Sequence, residues 1–520
     1  MAHLPYEGLE TLSQRSLVAS SAQIERLPLL TVVAHPDGRR VGDEAWLPGL
    51  LGGQSVAISR LEPVFAAPRG RGANWPLADA SLSRKPALLE AAPGGVRLRV
   101  GADALKVTVD GQPFVGERTF TPAELVLGVP LLLGRDVVVL LHTAETAIDR
   151  PAELGLVGES EAIQRLRADI LRVAEAPVPV LIRGETGTGK ELAASAIHRL
   201  SPRSSRPWVA VSMAALAPST ALSSLFGHVR GAFTGAVADH DGWFAGAHGG
   251  SLFLDEIGEA SIEVQTMLLR VLETSSFVPL GARAPRTVDV RLIAATDAEL
   301  EELVVAGRFR SALQHRLEGY RLRLPPLRER PADLGRLLQA FLREELGRFG
   351  EAERLVAEAG RSGWLPGELV VRLLQHPWPG NVRELRNVAR QLAIGSRGSA
   401  MARGDDLFTS AGVPAAGPEV PEVSATTTRR RPADIGTAEL VAALEAHTWR
   451  IGPTARALGL PRSSLYMLID RCADIRKASE VPEAEVETAL ADAAGELELA
   501  AARLRVSPRG LRLRLGREPE

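Results

Sequence analysis

Hydrophobic positions follow two regimes along this chain, and Pro151 separates them. From Leu29 the apolar residues come in short runs: LLTVVAHPDGRRV, SVAISR, VRLRV, LKVTVDGQPFV and DVVVLLH. Turn residues bound each run. Asp37-Gly38 and Asp110-Gly111 are hairpin-type signals, since both residue types tolerate the positive φ of a tight turn. Many short strands without a helical period predict a β-sandwich over residues 26–145, after a polar lead-in over 1–25. Past Pro151, EAIQRLRADILRVAE places apolar residues at helical spacing, and PVPVLIRG reads as a short buried strand. The alternation runs to residue 330 and predicts an α/β domain, a parallel sheet covered by helices, over 153–330. Residues 331–397 are mostly helical (DLGRLLQAFLREEL, GELVVRLLQ, NVRELRNVARQLA) and predict a small helical lid.

Residues 398–433 are rich in Gly, Pro, Ala, Ser and Thr and end in Arg429, Arg430 and Arg431, the composition of a linker. Beyond it the chain repeats itself at an offset of 46 residues, Glu439 falling on Glu485. Without gaps, Ala443 meets Ala489, Leu444 meets Leu490, Ala455 meets Ala501, Leu458 meets Leu504 and Leu465 meets Leu511. The shared positions are apolar or small, so the repeated thing is a core. In the first copy (434–477), GPTARALGLPRSSLYMLI reads helix, short turn at Gly459-Leu460, helix. Arg462, Ser463, Ser464 and Tyr466 open the second helix, where a helix-turn-helix makes its DNA contacts. The second copy (481–517), LELAAARLRVSPRGLRLRL, carries Arg505, Arg509, Arg512 and Arg514, and Gly510 weakens its helix. The other reading of both copies is an all-α dimerisation module.

Length and composition narrow the class. A chain of 520 residues has room for three or four domains. Hydrophobic residues at 45% and charged residues at 24% are ordinary for a globular protein. The net charge of −2 points to no particular partner. The single cysteine, Cys472, rules out an internal disulfide framework and fits a reducing compartment. MAHLPYEGLE has no charged stretch followed by an apolar core, and the runs Leu131 to Leu133 and Val137 to Leu141 are too short to span a bilayer. A cytoplasmic protein with no membrane partner is the expectation.

The candidate chemistry clusters in the α/β region. Gly184, Glu185, Thr186, Gly187, Thr188, Gly189, Lys190 and Glu191 follow the strand PVLIR and open the helix ELAASAIHRL. A phosphate loop needs that context: glycines turn backbone N–H groups toward phosphates, the helix N-terminus favours negative charge, and the lysine reaches the β and γ phosphates. SLFLDE is an apolar strand ending in Asp255, placed to position magnesium, and Glu256, placed to polarise the attacking water. VDVRLIAAT is a second buried strand whose tip, Thr296, can touch the γ-phosphate region. Arg310 and Arg316 are spaced near two helical turns, so both can project from similar faces as arginine fingers toward a neighbouring subunit. Arg383, opening a lid helix, can reach the same phosphates in cis. Between the phosphate loop and the acidic pair lies Gly231, Ala232, Phe233, Thr234, Gly235 and Ala236, a small-residue loop around one phenylalanine, placed where nucleotide can move it.

The run GETGTGKE, GAFTGA, GGSLFLDEIGE, VDVRLIAAT, FRSALQHRL, LPPLRER and WPGNVREL, from about Leu156 to Gln391, resembles the bacterial enhancer-binding proteins, AAA+ activators of sigma-54 RNA polymerase. The resemblance implies a ring, usually a hexamer, with ATP and Mg2+ bound between subunits. It implies that residues 231–236 engage sigma-54, with Phe233 and Thr234 the key contacts. The C-terminal repeat resembles the Fis-type helix-turn-helix with which that family binds upstream enhancer DNA. Several positions depart from the family: Ser212 stands where asparagine is usual, coupling the acidic pair to nucleotide state; Ser224 and Val229 replace frequent glutamates; Asp297 replaces Asn or His; and Ala312 replaces Asp.

The N-terminal region resembles a forkhead-associated (FHA) domain, a β-sandwich that binds phosphothreonine. Arg60, Ser83 and Arg84 are the matching residues, while Ser59, Pro86 and Asp110 depart from its pattern. The expected function is an ATPase that activates transcription by remodelling the sigma-54 closed complex, gated by a phosphorylated partner such as a Ser/Thr kinase. The alternative is a DNA-binding regulator with weak or vestigial ATPase, acting as repressor or scaffold.

Overall fold

A computed structural model describes residues 26–68, 74–146, 150–357 and 361–404, then 436–446, 481–492 and single positions among 454–514. The chain divides into two compact units, Met1–Val413 and Pro414–Glu520. Among the described residues the first unit opens with ten strands: β1 (Arg26–Ala34), β2 (Glu44–Trp46), β3 (Val56–Ile58), β4 (Ala87–Ala92), β5 (Gly95–Val100), β6 (Val107–Val109), β7 (Gln112–Phe114), β8 (Gly116–Phe120), β9 (Val129–Leu133) and β10 (Val137–Glu145). They form two antiparallel sheets, ordered β2-β1-β10-β9-β6-β7 and β3-β4-β5-β8. Leu30, Val32, Val137, Val139 and Leu141 of the first sheet share one core with Ile58, Leu89, Leu98 and Phe120 of the second.

The continuous apolar runs in β1 and β10 have a physical reason: both faces are covered. Because strand side chains alternate, Val33, Val138 and Leu140 point away from that core. They join Ala34 and Leu132 in a second core with residues of the lid. The two turn signals resolve differently. Asp110 (φ 52) and Gly111 (φ 78) make a two-residue hairpin between β6 and β7. At Asp37-Gly38 there is no tight hairpin. Asp37 caps a 3-10 turn over Gly38–Arg40 by accepting from Arg39 N–H, and the chain reaches β2 only afterwards.

A short helix α1 (Pro122–Leu127) joins β8 to β9. The α/β region follows: α2 (Glu161–Ala174), β11 (Val180–Arg183), α3 (Lys190–Leu200), β12 (Trp208–Ser212), α4 (Pro218–Phe226), α5 (Trp243–Gly246), β13 (Ser251–Asp255), α6 (Ile262–Thr274), the small pair β14 (Ser276–Phe277) and β15 (Arg286–Thr287), β16 (Arg291–Thr296), α7 (Leu300–Val305), α8 (Ser311–Leu317) and β17 (Tyr320–Arg323). Five strands make a parallel sheet in the order β12-β13-β16-β11-β17. Apolar cores lie on both of its faces, around Leu181, Leu252 and Leu292 on one and Ile182, Phe253 and Ile293 on the other. The lid is α9 (Leu334–Gly347), α10 (Gly367–Gln375) and α11 (Asn381–Gly395).

In the second unit, α12 (Thr437–Ala446) and α13 (Glu483–Asp492) begin and end at positions 46 residues apart, the offset of the sequence repeat. Leu440 and its counterpart Val486 are both buried. The lead-in 1–25, linker residues 405–433 and the proposed DNA contacts Arg462, Ser463, Ser464 and Tyr466 lie outside the described residues.

Candidate nucleotide site

Strand β11 lies between β16 and β17 and delivers the glycine-rich loop to the C-terminal edge of the sheet, where ligands of open parallel sheets bind. The loop curls around Lys190, whose Nζ donates to Gly184 O (2.8 Å) and Glu185 O (3.3 Å). Thr188 Oγ1 donates to Glu185 O at 2.7 Å. Gly189 caps α3 in a left-handed conformation, φ 103°. Gly187 (φ 79°) is pressed against the lid: a Cβ there would lie 2.3 Å from Gly380 O and 3.0 Å from Arg383 Cβ. Its carbonyl accepts from Val382 N–H (3.0 Å) and Arg383 N–H (3.3 Å), so the first turn of α11 sits on the loop.

Asn381 fastens this contact. Its Oδ1 accepts from Leu327 N–H at 2.8 Å. Its Nδ2 donates to Glu185 Oε2 (3.0 Å) and Thr186 O (3.1 Å). Glu185 also takes a bond from Arg328 Nη1 at 2.7 Å. Arg328, with help from Asn381, holds the Glu185 carboxyl down at about 2.

The acidic pair ends β13, one strand away. Burial pushes the Asp255 carboxyl up, and Glu256 N–H donates to its Oδ1 at 3.0 Å. Glu256 is left-handed (φ 55°, ψ 45°). Ser212, opposite Asp255 in the parallel register, donates from Oγ to Glu256 Oε2 at 2.9 Å. Burial lowers the Lys190 pKa; the charges of Asp297, Asp255 and Glu256 oppose that shift.

The cleft between loop and lid is about 410 Å³, and Lys190, Glu191, Asp255, Glu256, Arg330, Arg383 and Arg386 supply its charged lining. Leu156, Val157, Leu337, Phe341 and Val382 line it with apolar surface. Arg386 lies 5.7 Å from the centroid of Phe341. Arg330 is buried, and its Nε has no hydrogen-bond partner. Sequence reading named neither Arg330, Arg386, Phe341 nor Asn381.

Other expected residues lie elsewhere. Thr296 is buried outside the cleft lining, and its Oγ1 accepts from Ala298 N–H at 3.0 Å. Its neighbour Asp297 meets the loop instead, taking a 2.5 Å bond from Thr186 Oγ1. Arg310 caps α8, and its N–H donates to Gln265 Oε1 at 2.9 Å. The Arg316 side chain is 58% exposed, 3.7 Å from Glu273. Both arginines lie outside the cleft of their own chain.

Residues 228–240 form the projecting loop. Its stem is a reciprocal backbone pair between His228 and His240 (2.8 and 2.9 Å), and Gly231 N–H donates to Ala236 O at 2.8 Å. Ala236 is buried, Phe233 is 47% exposed, and Thr234 is exposed. The Phe233 ring stands 4.9 Å from His228, which is itself bonded to Ser223 Oγ at 2.7 Å. In the N-terminal region, Arg60 N–H donates to Ser83 O at 3.0 Å. Arg84 is exposed. Ser83 Oγ accepts from Lys85 N–H at 3.0 Å.

Residues 156–323 match the family model of the sigma-54 interaction domain, and residues 328–411 match that of the AAA+ ATPase lid domain. Over 243 residues the chain is 46% identical to the DNA-binding transcriptional regulator NtrC of Escherichia coli K12, covering 47% of this chain and 50% of that protein. The chain thus spans about half the length of that relative. Over 371 residues it is 38% identical to the hydrogenase transcriptional regulatory protein HoxA of Cupriavidus necator, covering 70% of this chain and 74% of that one. A crystal structure of NtrX from Brucella abortus in complex with ADP is similar at 31% identity and a TM-score of 0.43, over 62% of this chain and 70% of that one.

Proposed function

Since this chain belongs to the family of sigma-54-dependent transcriptional activators, carrying its AAA+ P-loop NTPase domain and lid, we propose that it hydrolyses ATP to drive residues 231–236 against sigma-54 RNA polymerase. The observation that carries this reading is the Ser212–Glu256 bond. Ser212 ends β12, and the chain runs from there through α4 directly into the projecting loop. One hydrogen bond therefore ties the Glu256 carboxylate to the strand from which the chain leads, through α4, to the loop that carries Phe233.

The cleft suits a nucleotide with a divalent cation. Its wall holds the buried, unpartnered Nε of Arg330. Among the described residues Asp255 has no cationic partner at ion-pair distance, and its burial favours uptake of positive charge. Asp255 would hold Mg2+, which when bound neutralises phosphate charge. Lys190 and the loop N–H groups bind the phosphates. Arg383 and Arg386 approach from the lid, and Phe341 with Leu156 and Val157 offers an apolar wall to a base. Glu256, released from Ser212, orients the attacking water. Arg310 and Arg316, exposed and outside the cleft lining of their own chain, suit action in a neighbouring subunit of a hexameric ring.

The N-terminal sheets would act as an FHA-like sensor of a phosphothreonine partner. Arg60 and Arg84, neither in an ion pair among the described residues, would meet the phosphate beside Ser83. The C-terminal repeat would bind enhancer DNA. The alternative, a DNA-binding regulator with weak ATPase, draws on the carboxylate of Asp297 next to Lys190. Steady-state ATPase assays decide between them: equal, near-zero rates for wild type and Lys190→Ala favour the alternative. For the leading reading, Phe233→Ala and Thr234→Ala keep ATP hydrolysis and lose activation at a sigma-54 promoter. Full activation by Thr234→Ala would remove the loop from its assigned role.

A further inference from the structure

We propose that the N-terminal sheets are a positioning element of the nucleotide cleft, acting through α9, so that undocking them weakens nucleotide binding. This rests on the reading of the cleft as a nucleotide site. Helix α9 has two occupied faces. Leu337 and Phe341 line the cleft. Gly335, Arg336, Leu338 and Gln339 pack against the N-terminal sheet.

The packing on that second face is close at several points. A Cβ on Gly335 would lie 2.3 Å from Val33 O and 2.9 Å from Val33 Cα. Arg336 lies over Gly42, with Nη2 donating to Gly42 O at 3.1 Å. Gly38 abuts Gln339 Nε2, where a Cβ would be 2.1 Å away. Ala357 N–H donates to Pro36 O at 2.9 Å, and Asp37 bridges Val356. On the neighbouring helix α10, Gly367 meets Leu132 and the carbonyl of Arg135. The lid core itself is completed by Val33, Ala34, Leu132, Val138 and Leu140 from the sheet. A helix held this closely on one face cannot shift without moving the other, because packed interiors are not continuously deformable.

Two linked sites must affect each other equally, so the coupling can be read from either end. In the full chain, Gly335→Ala should weaken binding of a fluorescent ADP analogue about fivefold or more, the low end for coupled sites. Alanine favours a helix over glycine, so weaker binding would not come from a failing helix. Gly347→Ala, on the same helix with nothing within 4 Å of its Cβ, should bind as wild type does. In the wild type, ADP should slow hydrogen exchange at the Val32 and Gly42 amides, which bond Asp43 O and Val32 O across the β1–β2 connection. A folded Gly335→Ala protein with unchanged affinity overturns the proposal. If that variant does not fold, the wild-type exchange decides, and protection confined to the cleft overturns it. If wild type and Lys190→Ala bind ADP equally poorly, the nucleotide reading itself fails and takes this proposal with it.

Discussion

Replacing Ser212 with alanine should speed ATP hydrolysis. The hydroxyl holds Glu256 Oε2 at 2.9 Å, and that bond must be given up before the carboxylate can turn to a water. Hydrogen bonds to charged groups contribute about 1.5–3 kcal/mol. Both residues are only partly buried, so water replaces part of the bond and a figure just below that range, about 1–1.4 kcal/mol, is appropriate. At about 1.36 kcal/mol per tenfold change, kcat should rise roughly five- to tenfold at saturating ATP. The assay is steady-state phosphate release, with Glu256→Gln as the background that silences both proteins. A folded Ser212→Ala protein whose kcat equals or falls below wild type would refute the argument. Promoter activation measured in parallel should fall relative to ATP turnover, since the freed carboxylate no longer reports to β12.

Asp297→Asn retains an acceptor for Thr186 but removes one of three carboxylates that act on Lys190; KM for ATP should fall several-fold, and a rise would contradict the charge account. Gly187→Ala adds a Cβ 2.3 Å from Gly380 O at a φ of 79°, which costs about 1–2 kcal/mol from handedness alone; nucleotide affinity should drop at least about tenfold with the circular dichroism spectrum unchanged. Burial holds the His142 pKa at about 4, against an ordinary 6.5. Between those values the unfolded chain takes up the proton and the folded chain does not, so stability present above pH 6.5 is lost as pH falls toward 4. His142→Gln should flatten the fall in unfolding temperature between pH 6.5 and 4, and an unchanged slope would count against this assignment.

The sequence made the phosphate loop and the acidic pair legible because each is a contiguous motif on one strand end. What it hid was assembled from distance. Asn381 meets Glu185 across 196 positions, and Phe341 and Arg386 enter the cleft only because α9 and α11 fold back over it. Strands β4 and β9 went unread since ALLEAA has a helix-favouring composition and VPLLL contains a proline. Asp37-Gly38 carries hairpin chemistry, yet a contact with Gln339 and the Leu355 carbonyl shapes that segment instead. Thr296 illustrates a different limit: the polar tip of a buried strand is expected to touch the γ-phosphate region, but its hydroxyl satisfies the chain's own turn at Ala298. Which of two adjacent polar residues faces outward is decided by local hydrogen bonding that no spacing encodes.

The core shared between the first sheet and the lid also sets an order of events during synthesis. Val33, Ala34, Leu132, Val138 and Leu140 leave the ribosome long before their partners between Leu327 and Ala402. At roughly 5–20 residues per second, that face waits from about ten seconds to a minute with its apolar strands uncovered. A nascent chain in this interval presents a sticky sheet with nothing to dock on, and fragments ending near residue 150 would keep it permanently. Expression of the N-terminal region alone should therefore yield aggregating material, whereas extension through Gly404 restores its cover.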